Sequence, residues 1–179
     1  MKRALALILV LLCAAISPAT TVKPMSIAEL TAAASMIVEG QATESWSAWN
    51  PQHTLIYTFT RVRVSKTLKG TNDGTVLLKQ LGGNAGGYTQ KVAGVHPMMS
   101  GDQAVLFLRP SEAHDGTVVI VGLMQGNFRI EREAKSGAVV VNNGVDDVQQ
   151  STTTGVTEYR GAKLTLQQLE ARVRRAING

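Results

Sequence analysis

The run TLIYTFTRVRVSKTL, Thr54 to Leu68, constrains the fold more than any other part of the chain. Ile56, Val62, Val64 and Leu68 share one face by period two, and Arg61, Arg63, Ser65 and Thr67 share the other. Tyr57 and Phe59 lie on the arginine face but come earlier. The first half is therefore expected to be buried on both sides and the second half on one. A long strand that changes exposure part-way is what a coiled, partly closed barrel demands. Turn chemistry follows in KGTNDG. TVLLKQL, Thr75 to Leu81, then reads as a second strand, and QAVLFLRP, TVVIVGL, NFRIERE and GAVVVNN continue the series, jointed by HDG and QGN. Before Thr54, MIVEGQATESW begins with strand formers, with Gly40 as a bulge. Six or seven short strands with no long helix between them exclude a doubly wound α/β fold and point to a barrel or sandwich.

Helices are expected only at the ends. SIAELTAAASM carries Ser26 with Glu29 three residues later, a capping box, ahead of an alanine-rich body with high helix propensity. This predicts a helix from Ile27 to about Ala34. In LTLQQLEARVRRAING, Thr165 and Gln168 repeat the capping spacing. Leu166, Leu169, Val173 and Ile177 form a helical stripe, and Arg172, Arg174 and Arg175 occupy the last turns, where the helix dipole favours cations.

The first residues read as a secretory signal. Lys2 and Arg3 precede an apolar run from Ala4 to Ile16, and Ser17 and Ala19 suit a cleavage site after Ala19. The run is shorter than the ~20 residues that span a bilayer, so a membrane anchor is the weaker reading. Lipidation of Cys13 is disfavoured by the bulk of Leu12 before it. Cys13 is the single cysteine, so the mature chain would have no disulfide, thiolate metal site or cysteine nucleophile. It must stand on its own core. The organisation expected is a signal peptide over 1–19, a β-barrel domain with its N-terminal helix over 20–142, a polar linker over 143–163 and a C-terminal helix over 164–179. Removing Lys2 and Arg3 from 18 basic residues leaves 16 against 13 acidic ones, a charge of +3. That is too mild to argue for nucleic acid, which needs a clustered basic face.

The glycine-rich LGGNAGGYTQKVAGVHPMMSGDQAVLFL, Leu81 to Leu108, invites a phosphate-binding reading. It lacks the Gly-Lys-Ser/Thr ending and the G-x-G-x-x-G spacing, and Pro97 and Gly101 oppose the helix that such a loop must open. It reads instead as a wide β connection. Gly82, Gly83, Gly86 and Gly87 would take positive φ or permit close backbone approach.

Several of these stretches together carry a resemblance. IVEGQATESWSAWNPQHTLIYTFTRVRVSKTLKG, the paired glycines, VAGVHPMMSGDQAVLFL and VIVGLMQGNF resemble a family of exported bacterial proteins over roughly Ile37 to Ile130. That family in turn is similar to the netrin-like domain of tissue inhibitors of metalloproteinases, on the order strand, long strand, LKG. The resemblance implies an OB-type barrel, a fold whose strand face and loops bind varied partners, and a partner that is another protein, including an exported protease. Those inhibitors chelate the protease zinc through an N-terminal cysteine. The mature chain would have none, so the resemblance does not extend to that mechanism.

No catalytic constellation emerges. His53, His96 and His114 have no metal-ligand spacing and each neighbours a turn residue, Pro51, Pro97 or Gly116. Ser100 and Asp102 lack a positioned base and a nucleophile elbow. Asp146 and Asp147 lie in the polar linker, where a desolvated acid pair is not expected. Trp46 and Trp49 flank Ser-Ala in a loop-like stretch before Pro51, and if that stretch is extended they point to opposite faces. An exposed Trp would serve as a binding hot spot, whereas a pair that closes the core end is the plainer reading. Arg61 and Arg63 point one way and could meet an anionic partner or simply form a solvated face. The expectation is a mainly β, OB-like (netrin-like) partly closed barrel with short N-terminal and C-terminal helices. It would be an exported, non-catalytic protein-binding module, with Trp46, Trp49, Arg61 and Arg63 at its binding surface. No catalytic residue, cofactor, metal, nucleic acid or stable membrane span is expected. A hydrolase of unknown substrate and a structural envelope protein are the alternatives.

Overall fold

The computed structural model of the protein describes residues 24–93, 95–133, 138–143 and 164–179. The signal peptide and nearly all of the polar linker expected from the sequence lie outside the described residues. Among the described residues no helix is long and apolar enough to cross a membrane.

Among the described residues ten strands and two helices follow one another in the order α1 (Ile27–Ala33), β1 (Met36–Trp49), β2 (Ile56–Lys69), β3 (Thr75–Leu81), β4 (Gly83–Ala85), β5 (Tyr88–Gln90), β6 (Gln103–Pro110), β7 (Val118–Ile120), β8 (Asn127–Arg132), β9 (Val139–Asn142), β10 (Leu164–Thr165) and α2 (Leu166–Asn178). Both expected capping boxes form, Ser26 with Glu29 and Thr165 with Gln168. Of the stripe on α2, Leu169 and Val173 are fully buried, but Ile177 near the end is 43% exposed.

Strands β1, β2, β3, β7 and β6 form a ring, closed by pairing of β6 with β1. All of its contacts are antiparallel except β3 with β7, which run parallel and meet at the single pair Leu78 and Val118. This is an OB-like barrel of five strands. Strands β8, β9 and β10 extend the sheet beyond β6. β7 and β8 lie end to end along one edge of β6, pairing with its two halves. Between them the chain loops out over Val121 to Gly126, and Phe107 holds both ends: its amide donates to Gly126 O and its carbonyl accepts from Val121.

Two cores follow from period two. Ala104, Leu106 and Leu108 of β6 point into the barrel, with Val38, Val62, Val76, Leu78, Met98 and Ile120. Val105 and Phe107, the alternate residues, point outward and pack under α1 and α2 with Phe128, Leu30 and Leu169. AVLFL is therefore apolar at every position because both of its faces are covered. The β2 strand also changes core along its length, since Val64 packs in the barrel and Leu68 beneath the helices. Coiling and three register shifts in the β1–β2 ladder, one of them at Glu39/Gly40, let it do so. Lys69, at the end of β2, donates to the carbonyls of Thr31 and Ala34 at 2.7 and 2.6 Å, where the unpaired carbonyls of α1 favour a cation.

The glycine segment is a small hairpin, β4–β5, turning at Gly86–Gly87 with both φ values positive, the geometry of a tight two-residue hairpin turn. Gly82 and Gly83 also take positive φ. A Cβ on Gly83 would run into the hydroxyls of Ser47 and Thr58. The chain then returns under the barrel, where Met98 plugs the interior at 0% exposure. Its amide donates to Gln80 Oε1 (2.9 Å), and its carbonyl accepts from Ser45 and Thr60 (3.1 and 3.0 Å). A row of hydroxyls thus replaces apolar side chains at this end of the barrel and satisfies a buried irregular segment.

Candidate functional site

The stretch around the two tryptophans is strand rather than loop. β1 runs through to Trp49, with Trp46 opposite Phe59 and Trp49 opposite Ile56 on β2. The composition Ser-Trp-Ser-Ala-Trp carries no strong strand signal by itself. The partner strand supplies the reason: Ser47 bonds Thr58 across the ladder at 3.0 Å and Ser45 bonds Thr60 at 3.2 Å, both inside the barrel.

With Ser45 and Ser47 inward, Trp46 faces outward. Its ring stacks on Phe59 at 5.7 Å and 19°, and it remains 38% exposed. Tyr57 is two residues from Phe59 on the same face, and Lys79, paired with Phe59 across β2–β3, reaches over both rings at 4.7 Å (Tyr57) and 5.9 Å (Phe59). Lys79 also ion-pairs with Asp115 at 2.8 Å, on the β6–β7 connection. That contact, with hydrogen bonds from the hydroxyl and amide of Thr117, holds the Asp115 carboxyl well below the usual carboxylate range. Lys79 is thus fixed over the aromatic rings, with its charge already answered.

Trp49 goes to the other side, at the barrel rim. It stacks on His53 at 5.9 Å and meets Tyr88 edge-on at 5.6 Å. The Asn50–Leu55 turn that carries His53 is held by Asn50 Oδ1, which accepts from the amides of Thr54 (2.8 Å) and Leu55 (3.0 Å). The β4–β5 turn brings Tyr88, 67% exposed, against Trp49. The chain has two Trp, three Tyr and three Phe. Phe107 and Phe128 are buried under the helices and Tyr159 lies outside the described residues. The remaining five, Trp46, Trp49, Tyr57, Phe59 and Tyr88, all stand on the outer face of β1–β2 or at the adjoining rim.

Arg61 and Arg63 are on the outer face of β2 as expected, and both are exposed. Each has a partner on β1: Arg61 Nε pairs with Glu44 at 3.2 Å, and Arg63 donates to Gln41 Oε1 at 3.4 Å. An exposed pair of this kind contributes at most about 1 kcal/mol. Arg61 adjoins Phe59 and borders the aromatic face, whereas Arg63 is further along the strand, away from it. The reading from sequence missed Phe59, Tyr57, Tyr88 and Lys79. The alternation of Tyr57 and Phe59 with Arg61 was the available signal. Lys79 had none, because its neighbours come from another strand and a distant loop.

His53, His96 and His114 are exposed and lie in connections outside the strands and helices. Ser100 donates to Thr43 O at 3.0 Å and Asp102 accepts from the Met99 amide at 2.9 Å, so both build the turn entering β6. Among the described residues no three His, Cys, Asp or Glu side chains are grouped to hold a metal ion. Compared with known proteins, the chain matches no family model and no curated protein.

Proposed function

We propose that this chain is an exported, non-catalytic module that binds another protein, an exported protease among the candidates, through the aromatic outer face of β1–β2. One observation carries the reading. Trp46, Tyr57 and Phe59 line this face and Trp49 and Tyr88 stand at the adjoining rim, whereas among the described residues the core takes two aromatics, Phe107 and Phe128. Rigid aromatic side chains supply large contact area at small entropic cost and dominate interface energetics. The strand pairing and the Lys79–Asp115 clasp preorganise this face, which lowers the ordering cost of association. Arg61 and Glu44 supply a charged border.

The test uses the mature chain and envelope proteins from its own cell. Trp46→Ala should weaken capture of a saturable partner by about thirtyfold, a hot-spot loss of ~2 kcal/mol. Arg172→Ala, on the distant exposed face of α2, should leave it unchanged. Equal capture by wild type and a folded Trp46→Ala variant would remove the aromatic face from the interface.

A further inference from the structure

We propose that the cavity beside β8 binds a small monocarboxylate carrying an adjacent N–H donor, the chemistry shared by a free amino acid and the C-terminal residue of a peptide. The cavity measures about 220 Å³ and lies where His96, Met124 and the end of β9 approach β8. Its wall is built by period two: Asn127, Arg129 and Glu131 share one face of β8, opposite the face that buries Phe128.

Asn127 is 6% exposed, and its side-chain oxygen has no hydrogen-bond partner. Buried polar atoms are nearly always paired, so an orphaned acceptor calls for a donor. Asn127 is anchored through its main chain. Its backbone donates to Met124 O at 2.9 Å and is paired with Leu106 in the ladder. Asn143, which also lines the cavity, directs its Nδ2 to Gln125 O at 3.1 Å. A bound ligand would supply the missing donor.

Arg129 sets the second requirement. It stands two residues along the same face, about 7 Å from Asn127 by strand geometry. A guanidinium carries five donors in a fork that suits a carboxylate, and the bond described for Arg129 goes to His96 O at 3.4 Å. Glu131, exposed at the mouth, opposes a second negative charge on the ligand. A carboxylate on Arg129 with an N–H toward Asn127 Oδ1 meets both requirements. The volume holds one residue and exceeds the ~30 Å³ of a single water. This site does not depend on the aromatic face, so the two proposals stand or fall separately.

Amide NMR of the mature chain provides the test, with alanine, N-acetyl-alanyl-alanine, the same peptide amidated at its C-terminus, and succinate as probes. Saturable shifts confined to Asn127–Glu131 and His96 are expected with alanine or the free-acid peptide. The first alone would identify an amino-acid site, the second alone a site for chain ends. The amide and succinate should bind at least about tenfold more weakly. Arg129→Gln should cost the same factor with unchanged melting temperature, and Asn127→Leu should abolish binding without lowering stability. Trp46→Ala should leave the shifts intact. Four results would overturn the proposal: no saturable shift in tens of millimolar ligand, equal binding of the amidated peptide, full binding by Arg129→Gln, or a crystal structure with an ordered water on Asn127 Oδ1 that ligand does not displace.

Discussion

Gly83→Ala isolates why the glycine segment needs glycine. Two costs are expected. The backbone at Gly83 has φ +137°, a conformation that strains an L side chain by roughly 1–3 kcal/mol. The added Cβ would also collide with Ser47 Oγ and Thr58 Oγ1. Those hydroxyls bond each other at 3.0 Å, and Thr58 donates to Gly82 O at 2.8 Å. Displacing both bonds removes about 1 kcal/mol net for each. The sum is roughly 3–5 kcal/mol, and at about 2–4 °C per kcal/mol for a chain of this size the melting temperature should fall by roughly 6–20 °C. Gly87→Ala is the control: its φ is +81° and nothing lies within 4 Å of the added atom, so only strain of about 1–2 kcal/mol applies. Urea unfolding of the two variants side by side gives the comparison. Adding Ser47→Gly to Gly83→Ala should recover part of the loss, a non-additivity expected only if the hydroxyl is the obstacle. If Gly83→Ala costs no more than Gly87→Ala, the close approach is not what the glycine serves.

The remaining expectations are briefer. Phe107→Ala should destabilise by about 3–5 kcal/mol, because Phe107 is fully buried beneath both helices and packs on Phe128 at 5.4 Å; thermal melting reads this directly. Asp115→Asn should lower stability near neutral pH by loosening Lys79. Because the folded carboxyl titrates below its unfolded value, the contribution is complete above about pH 4 and is lost as pH falls through the lowered value. The gap between wild type and variant in urea midpoints should thus be constant from neutral pH down to about pH 5 and narrow steadily below about pH 4. Trp49→Ala should perturb the Asn50–Leu55 turn and the Tyr88 contact, and so lower the melting temperature more than Trp46→Ala does. N-terminal sequencing of protein recovered outside the cytoplasm should begin at Thr20; retained Met1 would favour an anchor instead.

Local patterns in the chain were enough to place most elements. Alternation in TLIYTFTRVRV dictates a strand, Ser26 with Glu29 and Thr165 with Gln168 dictate helix starts, and the paired glycines dictate a turn. Each of these is an interaction within a few residues, so the chain alone records it. The run AVLFL marks a strand buried on both faces, but only the ring closure shows that one face fills a barrel and the other supports two helices. Trp46 and Trp49 fall on opposite faces by parity, yet Phe59 and Tyr88, which decide what each one touches, come from other segments. The same limit hides Lys79: its position over Tyr57 and Phe59 and against Asp115 joins β2, β3 and the β6–β7 connection. It hides Asn127 as well, since a polar residue at a strand start is unremarkable until Leu106 and Met124 hold it inward with nothing to bond. Period two divides a strand into two faces. Which neighbours those faces meet is a property of pairing across the sheet, and only the folded barrel sets it.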